Sequence, residues 1–395
     1  MKVIGALSFG ALVVLGQLYL TIPLMPDIEH RYGVSPGAAA WVGSGFSLAY
    51  AIGNLIFGTI SDRYDRRIVM IFGVVSGAVL AAVAGLSTGF AMLVTVRAAQ
   101  GFVAAAFAPV ALAYAVEALP LARRALGLAA ISCGFLLAGI AGQAFALWGN
   151  AALGWRWVLA LPAVPLLVCG AWLAALPAPP RHESASTVGR TIVGLASLVR
   201  RPQVLVGWVC ALTLLLAFVG MYGGLSDAAG TRYGITGAGP LLLLRLAGIP
   251  GILMCLFAGR LIGRLGPHRT GVLAFLLSAG GLVVEALAGP LWLLLAGSVI
   301  FVAGVALAIP CAVAVVGDAS GAARGAGIAG YGFLIGVGGA VAPLLVAGVA
   351  GFGPLCLLLA GAQLLAAAAM VFGYLAASRG LALATPSAPS ATSAK

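Results

Sequence analysis

Apolar runs of membrane length follow one another along almost the whole chain, with short polar links between them. About 20 apolar residues span a bilayer core, and about twelve runs of that size can be counted in the 395 residues. Only helices or closed barrels satisfy the backbone in hydrocarbon, and runs this long and continuous predict helices. Their expected positions are about 3–25, 37–59, 68–87, 90–116, 125–147 and 155–176, then about 204–225, 239–260, 271–288, 291–315, 325–349 and 354–377. The expected fold class is therefore an all-α membrane protein with twelve transmembrane helices in two six-helix bundles.

The longest polar link, 177–203, holds Pro177, Pro179, Pro180, Arg181, Arg190, Arg200 and Arg201. It divides the chain into an N-terminal bundle at 1–176, a cytoplasmic linker at 177–203 and a C-terminal bundle at 204–377. The Ala-, Ser- and Pro-rich stretch 378–395 is expected to be a disordered cytoplasmic tail. Met1-Lys2 opens a run reaching about Leu24, too long for the apolar core of a signal peptide, so it is taken as a retained first helix.

Composition sharpens this picture. The chain is 63% hydrophobic and 8% charged. Its net charge of +12 would suggest nucleic acid in a soluble protein, but the charges lie in the links. With both termini inside, 16 of the 21 Lys and Arg residues fall on the inner side and three on the outer, Arg31, Arg156 and Arg232. That is the bias expected of cytoplasmic loops, so the chain is placed in the cell's inner or plasma membrane with both termini cytoplasmic. The 57 glycines suit close helix packing. The six cysteines lie in apolar runs without metal-like spacing and are expected to be small core residues. The three histidines sit in links, and no phosphate-binding glycine loop with lysine occurs, which argues against ATP-driven transport.

One link stands apart. Five of the ten residues from Gly58 to Arg67 are charged. Gly58 and Ser61 would let two helix ends approach, Asp62 could sit near a helix N-terminus, and Arg63, Arg66 and Arg67 suit a cytoplasmic face. A solvated turn that fixes topology is the plainer reading. The stretch also resembles the signature of the major facilitator superfamily, a glycine followed four residues later by Asp-Arg and then a basic pair. Asp65 stands where that family usually has glycine. A second resemblance is Arg97-Ala98-Ala99-Gln100-Gly101, similar to a helix 4 motif of proton-coupled exporters. A third is the glycine run from Gly134 through Gly139 and Gly142 to Gln143, similar to an antiporter pattern but without its proline.

The two halves echo each other. Gly259-Arg260-Leu261-Ile262-Gly263-Arg264 follows the eighth helix as the signature follows the second, and Arg124-x-x-Gly127-x-Ala129 returns 200 residues later as Arg324-x-x-Gly327-x-Ala329. In the resembled family such parallel repeats enclose a substrate site near the midplane.

Polar groups deep in a bilayer are functional candidates. The pathway is expected to involve Gln17, Tyr50, Asn54, Arg97, Gln100, Gln143, Tyr222, Arg245, Tyr331 and Phe333. The resemblance places an acid at the inner end of helix 4, so Asp62, Arg63, Arg66 and Glu117, with Gly58 and Arg67, are expected to form a cytoplasmic latch. Independent solvated charges are the alternative. Arg245 either pairs with Glu285 across a hairpin of helices 8 and 9 or faces the cavity with Arg97. Helix 1 has no interior acid to carry a proton or to neutralise Arg97, which leaves backbone carbonyls or a substrate anion as its partner.

The resemblance implies a secondary transporter, a monomer without cofactor or metal, that moves a small molecule with protons, as an efflux permease. An uptake symporter or organic-anion exchanger on the same fold is the alternative. A membrane enzyme would need clustered His, Asp or Glu, and a channel would need pore repeats; neither is seen.

Overall fold

The computed structural model describes residues 1–177 and 188–384. Twelve helices among them are long and apolar enough to cross a membrane: helix 1 Lys2–Tyr32, helix 2 Pro36–Arg63, helix 3 Arg66–Gly85, helix 4 Phe90–Ala118, helix 5 Leu126–Leu153, helix 6 Trp155–Ala174, helix 7 Pro202–Tyr233, helix 8 Ala238–Leu265, helix 9 Pro267–Leu287, helix 10 Leu291–Ala319, helix 11 Arg324–Gly348 and helix 12 Phe352–Ala377. No strand occurs among the described residues. The helices form two six-helix bundles, the first built from helices 1 to 6 and the second from helices 7 to 12.

Several ends differ from the sequence reading, each for a local reason. Helix 1 does not end near residue 25 but continues past the turn at Ile22–Leu24 as Met25–Tyr32, because proline is tolerated in a first turn. Glu29, His30 and Arg31 are thus helical, and the helix ends at Gly33 with φ 61°. Helix 5 is preceded by helical residues from Leu121. The last helix continues to Ala384, beyond the Ser378 at which the tail was expected to begin; residues 385–395, and Arg181 of the linker, lie outside the described residues.

Breaks within helices follow proline and glycine. Helix 4 divides into Phe90–Ala104 and Ala108–Ala118, with Pro109 in the first turn of the second piece. Helix 8 divides into Ala238–Leu246, Ile249–Ile252 and Cys255–Leu265 around Pro250. Pro310 and Pro343 lie inside continuous helices.

Small residues set how closely the helices approach. A methyl group on Gly101 of helix 4 would lie 2.0 Å from the Phe46 carbonyl oxygen of helix 2. Gly134 and Gly142 of helix 5 lie against the carbonyls of Ser8 and Gly16 in helix 1, each 2.7 Å from the site a methyl would take. The glycine run of helix 5 therefore packs helix 1.

The bundles meet along two seams. Helix 2 runs beside helix 11, with Gly43 near Pro343, Ala51 against Gly336 and Asn54 against Gly332. Helix 5 runs beside helix 8, where Ile140 approaches Gly248. Below the first seam, at the end that carries the signature loop, lies a short helix in the linker, Val188–Leu198. Its Thr191 hydroxyl is 2.9 Å from that of Thr59 in helix 2, and its Gly194 and Leu195 lie against Ala326 and Gly330 of helix 11.

The packing predicts a contrast between two glycines of the N-terminal bundle. Gly101→Ala drives a methyl into backbone, where overpacking costs about 1–3 kcal/mol or more, and should abolish the monodisperse folded peak in detergent. Gly58→Ala meets nothing within 4 Å and should leave the peak and the melting temperature unchanged or slightly raised. Equal behaviour of the two variants would contradict this packing.

Candidate functional site

Arg97 sits in the first piece of helix 4 and is fully buried. A guanidinium has five N–H donors in a planar fork, and in hydrocarbon they must find protein partners. Nη1 donates to Gln100 Oε1 at 2.6 Å, and Nη2 donates to the Gln17 carbonyl of helix 1 at 2.7 Å. Gln100 Nε2 closes the ring by donating to Gln17 Oε1 at 3.0 Å. The Phe46 ring lies beside the group, its centroid 4.4 Å from Cζ. The motif Arg97, Gln100, Gly101 acts in one place: Gly101 lets helix 2 close in, which brings Phe46 to the arginine. The acceptors of Arg97 are thus the Gln17 carbonyl and the Gln100 side chain, which the Gln17 side chain holds in place, and only its Nε lacks an acceptor.

At the loop end, Arg66 gathers three side chains. Its Nε lies 3.0 Å from each Glu117 oxygen, Nη2 donates to Asp62 Oδ1 at 3.0 Å, and Nη1 donates to Ser61 Oγ at 3.1 Å. The cluster joins the ends of helices 2, 3 and 4. Arg67 donates to the Leu176 carbonyl at 2.6 Å and so ties in the end of helix 6. Three expectations change here. Asp62 is in the last turn of helix 2, not at a helix N-terminus; Asp65 caps helix 3 instead, accepting from the Arg67 N–H at 2.8 Å. Arg63 is exposed and stands apart from Asp62, Arg66 and Glu117. Gly58 has open space at its α-carbon rather than a close neighbour.

In the C-terminal bundle, Arg245 ends the first piece of helix 8 and is fully buried. Nη2 donates to Ser226 Oγ at 3.1 Å and to the Tyr222 carbonyl at 3.4 Å, both on helix 7; Nε and Nη1 have no acceptor. Glu285 does not pair with it. Helix 9 packs on helices 10 and 12 rather than along the outer part of helix 8, so Glu285 lies against Gly297 and accepts a long 3.8 Å hydrogen bond from the Cys356 thiol. Its other oxygen has no donor.

The remaining candidates are scattered along the seams. Tyr50 and Asn54 are joined through the Tyr50 carbonyl, to which Asn54 Nδ2 donates at 2.8 Å. Gln143 donates to its own helix at Gly139, leaving Oε1 without a partner. Tyr222 stacks near Phe218, with ring centroids 5.0 Å apart, and its hydroxyl is unpartnered, as is that of Tyr331. Phe333 is half-buried. Sequence reasoning missed Phe46, Ser226, Cys356 and Gln363. Gln363, which donates to the Thr213 carbonyl at 2.9 Å and joins helix 12 to helix 7, was detectable as the one amide side chain within helix 12.

The repeats are matched in space as well as in sequence. Arg124 donates to the Leu119 carbonyl at the end of helix 4, and Arg324 lies against Gly317 at the end of helix 10. Gly127 and Gly327 lie against Leu119 and Ser320 just beyond those ends. The profile of the Major Facilitator Superfamily matches residues 7–290. The chain belongs to this superfamily. Over 306 residues it is 28% identical to the probable transporter SCO4007 of Streptomyces coelicolor, a match that covers 70% of this chain and 66% of that one. Over 99 residues it is 34% identical to the cephamycin export protein CmcT of Amycolatopsis lactamdurans, covering 25% of this chain and 20% of that one. The crystal structure of the human organic anion transporter MFSD10 superposes with a TM-score of 0.74 at 18% identity, covering 93% of this chain and 99% of that one, which shows the shared fold. Four curated relatives are spanned over 27% of their own length or less. That superfamily is one of membrane transporters.

The two arginine clusters differ in burial, and this sets an expected order. Arg97→Lys keeps charge but loses the fork, and a lost hydrogen bond to a buried charged group costs about 2 kcal/mol. The Arg66 cluster is partly exposed, with side-chain exposures of 17%, 30% and 19% for Arg66, Asp62 and Glu117; Arg66→Lys should cost about 1 kcal/mol or less. The drop in apparent melting temperature in detergent should be at least twice as large for Arg97→Lys. A larger drop for Arg66→Lys would contradict the assignment of Arg97 to the core of the bundle.

Proposed function

We propose that this major facilitator is a proton-coupled efflux permease that moves a small molecule by alternating access. In this reading the units that rock are residues 1–176 and 204–377, joined by 177–203. The protein works as a monomer in the cell's inner or plasma membrane, with both termini cytoplasmic. The export function named for CmcT supports the direction, and the 16-to-3 distribution of basic residues supports the orientation.

The observation that carries the coupling is Glu285. It is the one buried acidic residue among the described residues. Helix 1 offers no acid in its interior, only Asp27 and Glu29 at its outer end, so the carboxyl group that binds and releases the proton is assigned to helix 9. A carboxyl group buried in a transmembrane segment is typical of proton relays. The Asp62, Arg66, Ser61 and Glu117 cluster serves as the latch. It fixes the ends of helices 2, 3 and 4 as one piece and so biases which state the bundle adopts. Gln17, Tyr50, Asn54, Arg97, Gln100, Gln143, Tyr222, Arg245 and Tyr331 make up the substrate and ion pathway.

A second reading, organic-anion exchange, is favoured by one observation. Arg245 is buried with its Nε and Nη1 donors unpartnered, and each is a charged N–H that an anionic oxygen would satisfy.

Proteoliposomes with an imposed pH gradient separate the readings. Ethidium serves as a cationic probe and fluorescein as an anionic one. Wild-type protein should accumulate a probe against its gradient, with matching proton movement. Glu285→Gln should reduce gradient-driven accumulation at least tenfold while probe exchange without a gradient persists. Unchanged accumulation in Glu285→Gln would remove the helix 9 carboxyl from the mechanism. Fluorescein exchange that is independent of pH would favour the second reading.

A further inference from the structure

Four of the six cysteines, Cys169, Cys210, Cys311 and Cys356, are buried within their own bundles. Cys210 and Cys311 donate to carbonyls, and Cys356 donates to Glu285. Cys133 and Cys255 differ in both respects. They are only partly buried, and they face each other across the boundary between bundles, Cys133 on helix 5 and Cys255 on helix 8, with 2.7 Å between sulfurs. No other pair of described cysteines forms such a contact.

The position matters more than the contact itself. Cys255 opens the last piece of helix 8, just after the interruption at Leu253 and Met254. Towards the other membrane face, Ile140 meets Gly248 on the same seam, and Gly139 lies against Phe218 of helix 7. The thiol pair thus lies on the signature-loop side of these contacts. If the bundles rock as proposed above, this part of the seam must part whenever the protein opens towards the loop end.

We propose that Cys133 and Cys255 are an oxidisable pair whose disulfide fastens helix 5 to helix 8 and arrests the transporter with this seam closed. The proposal rests on the alternating-access reading. A peroxide is the oxidant. The thiolate of one cysteine attacks a peroxide oxygen, the O–O bond breaks, and a sulfenic acid and water result. The second thiol then attacks the sulfenic sulfur, the S–O bond breaks, and a second water leaves. Two thiols and one hydrogen peroxide become one disulfide and two waters. The two sulfurs each lose one electron, and the two thiol protons end in the waters. Disulfide geometry requires the sulfurs to come within about 2.05 Å, a short movement for two side chains already in contact. A dithiol reductant reverses the step by thiol–disulfide exchange.

The test uses full-length protein in proteoliposomes, treated with hydrogen peroxide and then with dithiothreitol. Peptide mapping by mass spectrometry should find Cys133 joined to Cys255. Ethidium or fluorescein transport should fall at least tenfold with peroxide and return with dithiothreitol, while Cys133→Ser should transport equally with and without peroxide. A readout independent of transport is hydrogen exchange across residues 133–140 and 248–255, which should slow in the cross-linked form only. Absence of the cross-link after full oxidation of exposed thiols overturns the proposal. A cross-link that changes neither hydrogen exchange nor transport overturns the lock. Slowed exchange in a protein that moves neither probe before oxidation supports the lock and counts instead against the transport reading.

Discussion

A guanidinium in hydrocarbon is tolerable only when protein groups take its N–H bonds, and much of the N-terminal bundle is arranged around doing so for Arg97. Its acceptors come from two helices, the Gln17 carbonyl on helix 1 and Gln100 on helix 4, with Phe46 of helix 2 alongside. Three helices are therefore held to one another by one side chain. The close approach that makes this possible depends on Gly101, where any side chain would collide with the Phe46 carbonyl. Charge, amide and glycine are one device, and removing any of the three loosens the same joint.

The C-terminal bundle is less completely satisfied. Arg245 has two unpartnered nitrogens, Glu285 has one unpartnered oxygen, and the Tyr222 hydroxyl is free. Unmet polar groups in a low-dielectric site are costly, so a structure that keeps them gains something when a ligand or proton arrives. The asymmetry gives the bundles different roles in the proposed cycle. One is braced internally and at its loop end by Arg66, and the other holds the groups that can exchange partners.

Much of this was legible in the sequence. Span count follows from run length, because a bilayer fixes the length of an apolar helix. Arg97, Gln100 and Gln17 stood out because polar residues are rare in such runs. The separation of Arg245 from Glu285 was not legible. Spacing along two consecutive helices suggests a hairpin, but helix 9 packs on helices 10 and 12, and that rotation is set by glycines such as Gly281, Gly297 and Gly304. Asp65 was read as a departure from a family pattern, whereas its cap to the Arg67 N–H depends on where helix 3 begins. The contact of Cys133 with Cys255 joins residues 122 positions apart in different bundles, and no periodicity reports that.

The central claim of the proposed cycle is that the two bundles move as units against seams of small residues. Spin labels test it most directly, placed at exposed positions on the face opposite the signature loop in a background without native cysteines. Leu86 and Leu153 report within the N-terminal bundle, and Leu86 and Leu287 report across the two bundles. Electron–electron double resonance in lipid nanodiscs should give one narrow distance distribution for the first pair at every pH. The second pair should show two populations whose ratio changes with pH. A single unchanging distance across the bundles, or equal broadening within one bundle, would contradict the account.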